Sequence, residues 1–251
     1  MTIVEETAAW LTDPAHWQGA NGIPIRLLEH LQLSGAAFLI TALIALPIGL
    51  AVGHTGRGAT FAVNLANLGR AVPSLATIGI VAPLTQALDP ALGFTFYPTL
   101  IGLVFLALPP VLVNAYSGVS GVDRDLVEAA RGMGMRERQI LAGIEIPVSW
   151  PVILAGLRLA AVTIVATASL GAIFGYGGLG RYLIDGIAQN DDAQLFGGVV
   201  LAAGLTLVTE GAFALLQRTT ESPGIRRVRG PDAGRTGRMR PGGEAPASRG
   251  V

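Results

Sequence analysis

Neither cysteine nor lysine occurs among the 251 residues. Without cysteine there is no disulfide, no thiolate metal ligand and no thiol nucleophile. Without lysine there is no phosphate-binding loop of the GxxxxGK[ST] type, because that loop needs a Lys at the β- and γ-phosphates. If ATP drives this protein, the ATPase is another polypeptide. Charge is scarce, at 14% against about 25% in a soluble domain. Aromatics supply 6%, with no dense cluster for a cation–π cage around a quaternary ammonium ion. His16, His30 and His54 fall outside the apolar blocks described next, so a His-based intramembrane active site is not expected.

What the chain has is long apolar runs. Leu31–Gly53 and Thr99–Gly118 carry no charge; Phe61–Leu84 carries Arg70, Val152–Phe174 carries Arg158 and Leu195–Gln217 carries Glu210. Each is near the roughly 20 residues that a helix needs to cross a bilayer. The reading is five spans, at about 31–53, 61–84, 99–118, 152–174 and 195–217, rather than five buried helices of a soluble protein, which are shorter and show a polar face.

All 17 basic residues are Arg, and their placement predicts orientation. Arg57 precedes the second span, and Arg124, Arg131, Arg136 and Arg138 precede the fourth. The loops before the third and fifth spans hold only Arg181, with Asp89, Asp185, Asp191 and Asp192. Eight Arg follow Gln217. The expectation is an N-terminus outside, a C-terminus inside and the loop before the fourth span in the cytoplasm.

Residues 1–30 begin with Glu5 and Glu6 and lack the apolar run of a secretory signal. Trp10 and Trp17 suit a segment at the outer interface; a partly ordered leader is the alternative. Residues 218–251 are rich in Arg, Gly and Pro, with too little apolar surface to offset ordering, so disorder is expected. The tail Arg then serve topology or touch anionic lipid heads. No solute-binding domain is expected in a tail this short.

Between the third and fourth spans lies a polar island, Glu128 to Pro147, reading EAARGMGMRERQILAGIEIP. Asp125 and Glu128 resemble a capping box opening a helix over Leu126–Arg131. Gly132 and Gly134 bracket a turn, and Met135–Ala142 reads as a second short helix. Pro147 and Pro151 suit the first turn of the fourth span. Ala129 and Ala130 offer a small surface for close approach, and Met133 and Met135 an adaptable one. The island is read as a docking surface; an ordinary polar loop is the alternative.

Glu128-Ala129-Ala130, three residues, Gly134, nine residues, then Ile144-x-Ile146-Pro147 resembles the EAA loop of ATP-binding-cassette (ABC) importer permeases, with Ile146 where that pattern has Leu. Asn67–Ala76, Leu106–Val119, Leu126–Met135 and Phe174–Asp191 resemble the permeases of osmoprotectant uptake systems, which carry glycine betaine, choline or carnitine. Related methionine importers share the five-span core. The resemblance covers about Leu27 to Gln217. It implies an all-α integral membrane protein of the bacterial inner membrane, with a five-span type I importer permease core and cytoplasmic coupling helices (EAA loop 123–147). Glu128, Ala129, Ala130, Gly134, Ile144, Ile146 and Pro147 would then dock the ATPase. The implied partners are an ABC ATPase subunit, an extracytoplasmic solute-binding protein and a second permease, identical or related. ATP and Mg would be held by the ATPase, with no cofactor, metal or catalytic residue in this chain, and no nucleic acid is implied. A methionine-type permease and an autonomous secondary transporter are the alternatives; the latter has only Glu210 as a coupling carboxylate within a span.

Intramembrane ions usually face a bundle interior or a water path. Arg158 and Glu210 sit at similar depth and either pair, or Arg158 snorkels to the interface. Arg70, ahead of Pro73, is a candidate for gating or for packing. Prolines 47, 73, 83, 109 and 110 would bend the spans. Gly175, Gly177, Gly178 and Gly180 read as a tight outer turn near the pore mouth.

Overall fold

The computed structural model describes residues 2–60, 64, 73–90 and 96–220, and all regular structure among them is helical. Arg70, nearly all of the first half of the expected second span (61–63 and 65–72) and the tail beyond Thr220 lie outside the described residues.

A short helix α1 (Ile3–Thr12) comes first. It opens with a true capping box: the Thr2 N–H donates to Glu5 Oε2 at 2.9 Å, and the Glu5 N–H to Thr2 Oγ1 at 3.4 Å. A 3₁₀ turn, Pro14–Trp17, leads to α2 (Ile23–Thr55). At 33 residues, α2 is about 50 Å long, and it starts eight residues ahead of the expected Leu31. His30 and His54 are therefore helical, where the sequence had placed both outside the spans. His30 is fully buried, its Nε2 2.9 Å from the Val165 carbonyl.

Further α-helices among the described residues are α3 (Ser74–Leu88), α4 (Phe96–Ser120), α5 (Arg124–Gly132), α6 (Glu137–Ile140), α7 (Ile146–Thr167), α8 (Gly180–Gln189) and α9 (Asp192–Thr220). Among the described residues, Ile23–Thr55, Phe96–Ser120, Glu137–Phe174 and Asp192–Thr220 are long and apolar enough to cross a membrane; Ser74–Leu88 is apolar but shorter.

Helix α4 is central, packed on α2, α3 and α7, while α9 lies against α7, α8 and α1. The main core joins Leu33 and Ala37 of α2 to Leu103, Ala107 and Val111 of α4, and to Leu154, Ala160 and Ile164 of α7. Lipid tails are as apolar as leucine, so close approach of backbones must supply the packing energy. The buried face of α2 does this with small side chains: Ser34, Ala37, Thr41, Ala45 and Gly49 are buried, one turn apart, and Gly53 continues the line. A methyl placed on Gly49 would fall 2.8 Å from the Leu112 carbonyl oxygen, and one on Gly53 2.9 Å from that of Tyr116. Leu39, Leu43 and Ile48 project from the other side.

A second core lies at the opposite end from the polar island: Trp10, Ile23, Leu179 and Tyr182. Trp10 stacks on His16 (4.3 Å) and meets Tyr182 edge-on (5.1 Å). It is thus a core residue rather than an interfacial ring, because Gly197 of α9 leaves room for its indole. Trp17 is half exposed, its indole N–H donating to the Leu11 carbonyl at 2.8 Å.

Candidate functional site: the polar segment between α4 and α7

Helix α5 starts two residues earlier than the sequence suggests. Asp123, not Asp125, is the cap: its Oδ1 accepts the Asp125 N–H at 2.9 Å. Asp125 lies within the first turn, where a carboxylate favours the helix dipole. The helix closes in a Schellman motif: the Gly134 N–H donates to the Arg131 carbonyl (2.9 Å) and the Met135 N–H to that of Ala130 (3.2 Å). This geometry needs a left-handed residue after the cap, and Gly134 has φ +83°.

The second short helix is not a separate element. Only Glu137–Ile140 is α-helical; Leu141–Glu145 widens into a π turn that runs on into α7. Pro147 and Pro151 lack the N–H groups that would complete regular turns, and a widened turn just ahead accommodates such a gap.

Burial sorts the segment into two faces. Ala130, Ile140 and Glu145 are buried. Leu126, Glu128, Ala129, Met133 and Gly134 are exposed, Met133 at 76%. Ala130 thus points inward, away from the surface that Ala129 shares. Leu126, Ala129 and Met133 follow helical spacing and make one exposed apolar edge. Ile144 and Ile146 are half-buried and Pro147 exposed, where the segment joins α7.

Four polar side chains bind this segment together. Arg131 donates from Nε and Nη2 to the two oxygens of Glu137, at 2.8 and 3.0 Å. These bonds hold the Arg131 pKa above its ordinary value. Glu137 Oε2 also lies 3.2 Å from His54 Nε2, and His54 Nδ1 lies 2.5 Å from Glu145 Oε2. Sequence reasoning missed His54, which is 91 residues from Glu145 and carries no local signal. A cleft of about 470 Å³, lined by His54, Tyr116, Arg124, Glu128, Arg131 and Glu145, opens between α2, α4 and α5.

The charges expected within the spans lie away from this segment. Arg158 of α7 donates from Nε to Glu210 Oε2 at 2.9 Å and from Nη2 to Glu210 Oε1, and its Nη1 donates to Gln217 at 3.2 Å. Arg70 is outside the described residues. At the opposite end the glycine cluster wraps Glu29: the Gly178 N–H donates to Glu29 Oε2 at 2.7 Å, and the Tyr176 hydroxyl donates to the Glu29 carbonyl at 2.9 Å. Burial, with the Glu29 carboxylate, pushes the Tyr176 hydroxyl up to about 12, so it remains a donor at neutral pH.

These features agree with the comparisons. Residues 44–222 match the family described as binding-protein-dependent transport system inner membrane component, and the chain belongs to it. The carnitine transport permease protein OpuCB of Listeria monocytogenes is 33% identical over 84% of this chain and 94% of its own length. The choline transport system permease protein OpuBB of Bacillus subtilis (strain 168) is 30% identical over 80% and 89%. The fold is that of solved inward-facing forms of the MetNI methionine ABC transporter, with a TM-score of 0.69 at 20% identity over 78% of this chain and 94% of that one. The protein is therefore a multi-pass, non-catalytic permease component of an ABC importer and works with a separate ATPase subunit.

Proposed function

We propose that this permease imports small quaternary ammonium osmoprotectants such as carnitine, choline or glycine betaine. The observation that carries the solute class is the breadth of the likeness. Relatives named for carnitine, choline and glycine betaine/carnitine/choline transport each align over 78% or more of this chain.

The polar segment is the ATPase docking site in this reading. Glu128, Ala129 and the apolar edge of Leu126 and Met133 face the partner. Gly134 sets the turn, Ala130 anchors the helix inward, and Ile144, Ile146 and Pro147 join the segment to α7. Exposed Met and Leu beside charge is the composition of an adaptable docking face. The ATPase holds ATP and Mg²⁺; a solute-binding protein delivers solute at the end carrying Trp10 and Gly178, and a second permease completes the path. The Arg distribution supports an N-terminus outside and a C-terminus inside. Arg158 with Glu210, and Arg70, are assigned to support or gating of the path.

The test is uptake into liposomes holding the assembled transporter and its binding protein. Radiolabelled carnitine, choline and glycine betaine should accumulate with ATP, and methionine should not compete. Preferred uptake of methionine would replace the solute class with an amino acid, and uptake without any ATPase subunit would overturn the coupling reading.

A further inference from the structure

Helices α4 and α7 are covalently continuous with the two ends of the polar segment, so any displacement of that segment reaches them through the chain. Helix α2 has no such connection. It packs against α4 along a line of small, mostly apolar residues and meets the polar segment only where its last turn ends. Among the described residues, the side-chain polar contacts between α2 and segment 124–145 both end on His54.

His54 occupies the last turn of α2, where the helix dipole favours positive charge. Its two nitrogens reach opposite ends of one stretch: Glu137 opens α6, and Glu145 closes the π turn. One imidazole thus spans 137–145. The Glu145 side chain is only 6% exposed, which makes its contact with His54 costly to break, because a buried carboxylate would be left without its partner. Arg131 holds Glu137 from the other side. Arg131, Glu137, His54 and Glu145 therefore connect α5 to α2 through α6.

We propose that His54 is a positioning residue for energy coupling: it makes the first long helix follow the docking segment when the ATPase subunit moves it. This rests on the assignment of that segment as the docking site. Direction and distance are both constrained, since the ring must serve two carboxylates at once. An imidazole can donate from both nitrogens only when both carry protons, whereas a guanidinium always offers donors in a fork. Arg at this position should therefore preserve the link, and Gln, which has one short amide, should not.

The test uses the complete transporter with its ATPase subunit. The chain has no cysteine, so spin labels at Ala51→Cys on α2 and Ala142→Cys in the π turn face no native thiol; both positions are exposed. Between the nucleotide-free and ATP–vanadate-trapped states, the distance between these labels should stay constant in the parent. His54→Gln should shift or broaden it while the ATPase subunit stays bound, and His54→Arg should restore it. Uptake per ATP hydrolysed, read with choline as probe where the parent accumulates it, should fall at least about fivefold in His54→Gln, the lower end of common coupling factors. An unchanged label distance in His54→Gln overturns the proposal, as does an equal loss in Gln and Arg, which marks a packing role. If His54→Gln fails to insert, Glu145→Gln takes its place, and parental behaviour in that variant overturns the proposal. The label distances need no solute, so a wrong solute class leaves this test intact, and the amount of ATPase subunit that copurifies with the surface variant Glu128→Ala tests the docking assignment separately from the linkage.

Discussion

The Arg158 guanidinium clasps the Glu210 carboxylate across α7 and α9, and its third nitrogen reaches Gln217 further along α9. The side chains are 32% and 38% exposed on the surface of the single chain. In an apolar setting each ion needs the other more than it would in water.

Replacing either Glu210 or Arg158 by Leu should therefore lower stability by about 1.5–3 kcal/mol, the range for a hydrogen bond to a charged group. Replacing both by Leu should recover most of that loss, since the double change leaves no lone ion. Thermal unfolding in detergent reads the cycle; additive losses would show that the two residues act independently.

Gly49 and Gly53 set the approach of α2 to α4. Gly49→Ala places a methyl against the Leu112 carbonyl and the Ala115 side chain, and such overpacking costs about 1–3 kcal/mol. Gly211→Ala on α9 meets nothing within 4 Å and should be neutral or stabilising by up to about 1 kcal/mol. The difference between the two melting temperatures checks the stripe.

Trp10→Ala removes the ring that seats α1 on α8 and α9. Loss of a buried Trp costs about 3–5 kcal/mol. Here that loss should open the N-terminal segment while leaving the α2–α4–α7 core closed. Hydrogen exchange should rise across residues 3–17 and remain low over 153–164. Exchange rising equally in both would show that the two cores form one cooperative unit.

Gly134→Ala forces a Cβ into left-handed backbone, at about 1–2 kcal/mol. Insertion should survive, since a Cβ at Gly134 would meet nothing within 4 Å. The amount of ATPase subunit that copurifies should fall, and Gly134→Asn should fall less, because Asn tolerates this conformation. Equal recovery of ATPase in all three would remove the turn from the docking surface.

The helical membrane architecture was legible in the sequence because its signals are local. Apolar runs mark the spans, and the spacing from Glu128 to Pro147 marks the segment by composition alone. Details of that segment were less legible. The spacing of Asp125 and Glu128 pointed to a cap at Asp125, whereas the Asp123 carboxylate takes the Asp125 N–H and caps the helix. The π turn replaced a second helix because two prolines downstream removed backbone donors, an effect that residue propensity does not express.

The sequence by itself determined that the chain is helical and membrane-spanning, that it carries no lysine-dependent phosphate loop, and which stretch bears the family's polar motif. Only the tertiary structure decided that His54 meets Glu145, that Arg158 meets Glu210 and that Trp10 is buried. Such meetings depend on how two helices rotate and slide against each other. That register is set by the small-residue stripe of α2 and by the space at Gly197, contacts between distant parts of the chain whose partners neither helix specifies by itself.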